Sequence, residues 1–370
     1  MFDIAIVGGG PAGAMLARLI GARYRVLLVD RRQLDAPPAT GRPGKCCGGL
    51  LSENAQQALD ALGLVAPASI RTTEQPTDVR VIDADNRTER FVPRPYINCH
   101  RELLDRWLLS LAPATVDVRC GCALREVRED AGGMTLTLAA AGQRYTERAR
   151  MVVGADGAGS QVRRQLFPRA MSPRTYLAVQ EWYELELPYH VAVFDRTVTD
   201  YYGWAVPKDG LLAVGAALIP RADPHGHFTR LLAQLAANGI VPGRRRWREG
   251  ALIRRPLRGS EICTGEGAVA LLGEAAGWIS PSSAEGFSYA FRSAVACADA
   301  LADGLDGAVA RYAKNTWPLR TAIDREILKC AGMFTPWIRG LALRGNRTPA
   351  AAPAQQPQPI WETLFGALGH

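Results

Sequence analysis

The first thirty residues, MFDIAIVGGGPAGAMLARLIGARYRVLLVD, constrain the fold more than any other part of the chain. Ile4 to Val7 is a short apolar run suited to a buried strand, and it leads into Gly8-x-Gly10-x-x-Gly13. An Ala/Leu-rich helix to about Ile20 follows, then a second apolar strand, Val26 to Val29, closed by Asp30. Strand, glycine turn, helix, strand and acid form the order of a dinucleotide-binding unit. Gly8 makes the tight turn, Gly10 admits a pyrophosphate against the backbone, and Gly13 lets helix and strand pack closely. The free N–H groups at the helix start face the negative charge. The expected cofactor contacts here are Gly8, Gly10, Ala12, Gly13, Asp30 as ribose acceptor, and Arg31.

Two later segments select FAD over a nicotinamide dinucleotide. MVVGADGAGSQVRRQL (151 to 166) reads as a buried strand, a turn at Asp156-Gly157 and a helix carrying Arg163. GAVALLGEAAGWISPSSAEGFSYAFRSA (267 to 294) reads as a strand, a turn at Gly273-Glu274, a Pro/Ser loop and a helix from Gly286 and Phe287. A flavin reaches beyond one nucleotide fold, so the chain must return to hold its ribityl chain and ring. The N–H groups of that last helix are expected to face the N1 and O2 side of the ring.

The chain has 370 residues, room for two domains or one with an insertion. No apolar run approaches the roughly 20 residues of a spanning helix, and the start carries no secretory pattern. A cytoplasmic location is expected, with the eight cysteines reduced. Their spacing matches no metal site, so no metal is expected. The formal charge is +8, and only four of the 44 basic residues are lysines. Such a balance attracts anions: cofactor phosphates, an acidic substrate or an anionic membrane face. Basic clusters such as Arg244-Arg245-Arg246 lack interleaved aromatics, which argues against nucleic acid.

The predicted fold class is α/β: a Rossmann-type FAD-binding domain, an inserted, mainly antiparallel β-sheet substrate domain, and a C-terminal helical segment. Residues 1–76, 95–174 and 258–330 are assigned to the first domain and 77–94 with 175–257 to the second. A hairpin is expected around Asp83–Asn86, then a meander of strands over 175–183, 190–195, 201–206 and 211–218. Residues 228–238 read as helix and 250–257 as a returning strand; a helix opens at Arg101. Residues 331–345 read as a helical cap over the pocket, a membrane-resting segment or a core helix, and 346–370 as a largely disordered tail.

The motifs GGGPAG, GADGAGSQVRR and LLGEAAG, taken with KCCGGLL, INCHRELLDRWL and YYGWAVPKDG, resemble FAD-dependent oxidoreductases of the geranylgeranyl reductase family. That family has the para-hydroxybenzoate hydroxylase-like fold, and the chain resembles its CbrA-type bacterial flavoproteins over nearly all of residues 1 to 340. The resemblance implies FAD, reduced by NAD(P)H or another reduced carrier, and a hydrophobic small-molecule substrate between flavin and sheet. It puts Arg101 near the cofactor phosphates and aligns Glu274 with a position usually held by Asp. It also passes Cys47, Gly48 and Gly49 beside the flavin ring, with Cys46 as an extra cysteine. Cys47, Tyr202 and Trp204 are the catalytic candidates, and Trp182 a further lining residue; strand alternation puts Tyr202 and Trp204 on one face. Reduction of a carbon–carbon double bond is the favoured expectation. The alternatives are a monooxygenase or halogenase on the same scaffold, or a flavoenzyme acting on a partner protein. Peripheral membrane contact and oligomeric state stay open.

Overall fold

The computed structural model describes residues 1–36, 45–171, 173–220 and 223–344. The expected tail, and the Gly41–Gly44 part of the cysteine loop, lie outside the described residues.

Five strands run parallel in the order Val269–Leu271, Gln143–Gly154, Phe2–Val7, Val26–Asp30, Asp117–Cys120. The residues of Phe2–Val7, Val26–Asp30 and Val269–Leu271 are nearly all buried on both faces, as their uninterrupted apolar runs require. Gln143–Gly154 continues backwards into an antiparallel extension through Gly133–Ala140 and Ala123–Asp130. The chain runs outward from Phe2–Val7 on one side and later returns to pair on the other. The order of connection therefore reverses between Phe2–Val7 and Gln143–Gly154. In open α/β sheets the crevice at such a switch point holds the ligand. Gly8 and Ala155 leave the two strands there, side by side, with Ala155 N donating to Val7 O at 2.8 Å. The helices Pro11–Ile20, Arg101–Ser110 and Phe287–Leu301 cover one face through Leu16, Leu104, Phe291 and their neighbours.

The second sheet has seven strands in the order Arg245–Arg255, Arg174–Glu184, Leu211–Leu218, Gly203–Lys208, His190–Phe194, Asp78–Asp83, Thr88–Pro93. All its pairings are antiparallel except His190–Phe194 with Asp78–Asp83. The expected sequential meander is therefore corrected. Arg174–Glu184 skips its sequence neighbour and pairs with Leu211–Leu218, from Leu177↔Leu218 to Glu184↔Leu211. The short His190–Phe194 strand offers only five residues, so the longer ladder gains more hydrogen bonds. The returning strand also starts earlier than expected, at Arg245, and the third meander strand runs through Lys208, leaving the turn to Asp209 and Gly210.

Alternation divides this sheet cleanly. Val179, Val191, Val193, Ala205, Val214 and Ala216 face the helix Pro224–Ala237, which presents Phe228, Leu231 and Leu235. The opposite face carries Trp204, Val206, Lys208 and His190 and looks toward the cysteine loop. The C-terminal segment is two helices, Trp317–Phe334 and Pro336–Arg344, broken at Thr335, rather than one cap starting at 331. The second is pinned by buried Arg339, whose guanidinium bonds Asp83 at 2.7 and 2.8 Å and Asp85 at 2.8 Å. Among the described residues no helix is long and apolar enough to cross a membrane.

Candidate cofactor and substrate site

The glycine turn is built as its spacing demands. Gly8 has a φ of +109°, and a Cβ there would sit 2.4 Å from Ala155 O. A Cβ on Gly13 would lie 1.9 Å from Gly8 O, so only glycine lets the helix approach the strand this closely. Gly10 differs: the nearest atom to its Cβ position is Arg32 Nη2, at 4.0 Å. The turn is crowded by protein at Gly8 and Gly13 and open at Gly10, the position reserved for a ligand.

Asp30 receives four hydrogen bonds from the protein itself. Gly9 N donates to Oδ2 at 2.7 Å and Arg32 Nη2 at 2.9 Å; Arg32 N and Nε donate to Oδ1 at 2.7 and 3.1 Å. Those bonds use all the lone pairs a carboxylate offers. In this conformation Asp30 fixes the turn and aims Arg32 instead of keeping an acceptor for a ribose. Arg31 is exposed, and Arg32 is the arginine that faces the crevice. Its other nitrogen, Nη1, donates to Asp105 at 2.5 Å, and Arg101 Nε donates to the same carboxylate at 2.8 Å. Burial alone would raise the pKa of Asp105, but Arg101, Lys45 and Arg32 outweigh it and hold it down to about 2. Lys45, at the start of the described loop, is lowered to about 8, by burial first and then by Arg101. Three cations thus surround one buried carboxylate. The net positive charge next to Gly10 fits the phosphates of a dinucleotide.

The two cysteines part company. Cys46 is buried, and burial, then Glu249, pushes its thiol well up. Glu249 accepts from Gln180 Nε2 at 2.7 Å and Trp182 Nε1 at 2.9 Å. Gln180 Oε1 in turn accepts from Trp204 Nε1 at 2.8 Å. Cys46 therefore belongs to the substrate-facing sheet. Cys47 is half-buried on the cofactor side, where Gly49 N donates to Sγ at 3.4 Å and Arg101 Nη1 approaches it at 3.7 Å. Gly49 has φ +64°, and its Cβ position is 2.2 Å from Cys99 O, so packing against its neighbour strand requires glycine. Gly48 is less crowded: its Cβ position meets only Val206 Cγ2, in ordinary contact at 3.9 Å.

The other two cofactor segments close on the same crevice. Asp156 Oδ2 accepts from Gln161 N at 2.6 Å and Val162 N at 3.3 Å, capping the short helix. Its Oδ1 is buried with no partner. Arg163 is structural: it donates to the carbonyls of Ala275, Ala276, Met171 and Glu261. Gly273 packs with its Cβ position 3.1 Å from Ala12 Cβ, joining the third segment to the glycine turn. Glu274 reaches away to accept from Arg254 N at 2.8 Å. Gly286 caps the helix Phe287–Leu301, and Phe287 lies under Arg101, 4.8 Å from guanidinium to ring centre. Glu285, its pKa raised by burial, accepts from Ser288 N and Oγ at 2.8 and 2.5 Å. Tyr201 and Tyr202 donate to Ser280 O at 3.3 Å and Ser283 O at 2.5 Å, so both phenols are occupied. The rings of Tyr202 and Trp204 lie 5.9 Å apart, although the strand starts at Gly203, later than the expected 201, and leaves Tyr202 just before it; Trp182 stacks on Trp247 at 5.3 Å.

The sequence reading missed Arg32, Asp105, Tyr96, Gln180, Glu249 and His190. The Arg101-x-x-x-Asp105 spacing was the one local signal, an i,i+4 pair on a helix.

A switch-point crevice, a glycine turn and a phosphate-ready cluster of arginines define a dinucleotide-binding flavoprotein architecture. The family model described as FAD binding domain matches residues 1–223, and the chain belongs to that family. Protein CbrA of Escherichia coli O6:H1 is 33% identical over 347 residues, 93% of this chain and 93% of the relative. Among solved structures, the geranylgeranyl bacteriochlorophyll reductase-like protein Ta0516 of Thermoplasma acidophilum gives a TM-score of 0.75 at 19% identity, covering 92% of this chain and 87% of that one. Pseudomonas aeruginosa PqsL, in complex with 2-aminobenzoylacetate, gives 0.67 at 22% identity, covering 93% and 99%. The flavin-dependent halogenase CmlS shares the fold as well. The residues fit FAD: the space at Gly10 and the unpartnered Oδ1 of Asp156 line the crevice where the cofactor lies in such a fold.

Proposed function

We propose that the chain is an FAD-dependent oxidoreductase of the geranylgeranyl reductase type that reduces a carbon–carbon double bond in a hydrophobic small molecule. The observation carrying this reading is the meeting of two walls at the cysteine loop: Cys47 lies beside Arg101 on one side, and on the other the Gly48 Cβ position is in van der Waals contact with Val206 Cγ2, at 3.9 Å. A flat ring on the Arg101 side of the Cys47–Gly49 backbone would border the wall of Val206, Trp204 and Tyr202. When bound, FAD supplies the hydride, having been reduced by NAD(P)H or another reduced carrier.

The protein's own residues do the rest. Arg32, Arg101 and Lys45 neutralise the pyrophosphate, and Asp105 and Asp30 hold the two guanidiniums in place. Tyr202 and Trp204 exclude water from the reacting carbons and orient an apolar body by contact. Cys47 is the titratable side chain beside the ring and the proposed source of the proton that completes the reduction. Tyr202 is less suited, since burial raises its pKa far above neutrality and its O–H is held by Ser283.

The test is anaerobic. Purified enzyme is reduced, isoprenoid or polycyclic alkenes are added, and flavin absorbance is followed. Reoxidation without oxygen, with a product heavier by two hydrogens, supports the reading. Flavin that stays reduced until air is admitted, with a product gaining oxygen or halogen, replaces it with oxygenation or halogenation.

A further inference from the structure

His190 is 2% exposed, and among the described residues neither ring nitrogen has a hydrogen-bond partner. Buried polar groups are almost always paired, so an imidazole left without one marks a place where a partner is missing. The ring stands on the face of the sheet that bounds the proposed substrate space. Val191 pairs with Ala205, which puts His190 opposite Val206, the residue in contact with Gly48 at the cysteine loop. Tyr96 flanks it, ring centres 6.0 Å apart.

Two positions beyond Val206 on the same strand and face is Lys208, also 2% exposed. Its Nζ donates to Asn98 Oδ1 at 2.6 Å and to Cys99 O at 2.8 Å. Both acceptors are neutral, and an ammonium has three donors. Lys208 forms no ion pair among the described residues. The nearby acids are engaged elsewhere: Glu74 accepts from the backbone of Asp209 and Gly210, and Asp209 pairs with His100 at 2.5 Å. The wall is therefore graded along its length. Phe194, Tyr202 and Phe334 make one end aromatic, Ala192 and Val206 make the middle apolar, and a neutral imidazole and an uncompensated ammonium make the other end polar. Burial, then the charge of Lys208, lowers His190 to about 4, so it stays neutral and can donate one N–H to an incoming oxygen.

We propose that His190 and Lys208 form a subsite for an anionic oxygen at one end of the substrate, so that the molecule taken is an apolar body carrying an acidic head. Diagonal neighbours across a strand pair stand about 7–8 Å apart, a gap that one carboxylate or phosphate group bridges. The head supplies the missing partner to both side chains, and the body lies along Val206 and Trp204 toward the aromatic end. The proposal rests on the substrate space assigned above.

The test is isothermal titration calorimetry of the full-length holoenzyme with 1-naphthoate, 1-naphthyl phosphate and 1-naphthalenemethanol. These share an apolar body and differ in the head. At least one acid is expected to bind ten-fold or more tightly than the alcohol, and the acid preferred tells a carboxylate head from a phosphate. In His190→Phe, which keeps a ring and removes both nitrogens, acid affinity is expected to fall at least ten-fold while the alcohol changes less than two-fold. Equal wild-type affinities for all three probes, or equal loss of acid and alcohol in the variant, overturn the subsite. If the variant does not fold, the wild-type ranking decides alone. Flavin content and anaerobic reduction are measured on the same samples. A yellow, reducible enzyme with no acid preference overturns only the subsite. A colourless protein overturns the flavoenzyme reading, and the probe ranking on that protein still decides the subsite.

Discussion

The two walls that meet at the Cys46–Gly49 loop are built on opposite principles. On the cofactor wall the arginines are held in advance: Asp30 and Asp105 between them bind Arg32, Arg101 and Gly9 through six side-chain and backbone bonds. On the substrate wall, His190 and the third donor of Lys208 have no partner among the described residues. A cofactor that stays bound favours a cradle organised in advance, with arginines held in place before any phosphate arrives. A substrate that must come and go is recognised by groups whose partner is the substrate itself, and they remain unmet without it. On the proposed reading, one wall is organised without its ligand and the other selects through what it lacks.

The sharpest way to break this contrast is at the glycine turn. Gly13→Val forces a side chain into Gly8 O, 1.9 Å from the Cβ position, and is expected to abolish soluble folded protein. Gly10→Val meets nothing closer than 4.0 Å. It is expected to leave the far-ultraviolet circular dichroism melt intact while removing bound flavin from the absorbance spectrum. If Gly10→Val stays yellow, the open side of the turn is not where the pyrophosphate lies.

The cradle comes next in size. Asp105 is fully buried against two arginines, and Asp105→Asn takes the carboxylate from Arg101 and leaves Arg32 only Asp30, at a cost of about 3–5 kcal/mol in urea denaturation at pH 7. Its pKa of about 2 lies below the ordinary 3.8. The depressed folded value means its stabilisation is complete above about pH 4 and lost as pH falls toward 2. The linkage is worth about 2 kcal/mol. The gap between wild type and Asp105→Asn should therefore narrow by that amount between pH 5 and pH 2. A gap independent of pH would show that the carboxylate is not held down by its arginines.

These two sets of residues also show how far the sequence could be read. The glycine turn was legible because its spacing is local: the six residues Gly8 to Gly13 set it, although Gly8 itself is crowded by the distant Ala155. Arg32 and Asp105 were not, because their contact spans 73 positions and exists only once helix and sheet are packed. Asp30 was recognised, but its lone pairs were assigned to a ribose when Gly9 and Arg32 fill them. The aromatic strands of the second sheet were found by alternation, yet their order was not. Alternation says which side chains share a face and is silent on which strand lies alongside. His190 was invisible for the same reason, since its neighbours Val206 and Lys208 become neighbours through register alone.

Behind the sheet, Leu231 is fully buried against the face that does not meet the cofactor loop. Leu231→Ala should cost about 2–5 kcal/mol by chemical denaturation, while flavin content and the probe affinities of folded protein stay unchanged. Loss of ligand binding at constant fold would mean that the two faces of the sheet are not independent.

The smallest effects separate the adjacent cysteines. Cys46 is enclosed beside the Glu249 network, so Cys46→Ala removes one buried sulfur, costing about 1 kcal/mol of stability with no change at the ring. Cys47 sits between Gly49 N and Arg101 on the half-open side. Cys47→Ala should keep FAD bound, shift the flavin absorbance band, and slow product formation more than reduction by the donor, as loss of a proton source requires. The two variants together decide which wall each thiol serves. A spectral shift in Cys46→Ala and none in Cys47→Ala would reverse the assignment, bringing the substrate wall to the ring on the Cys46 side of the loop.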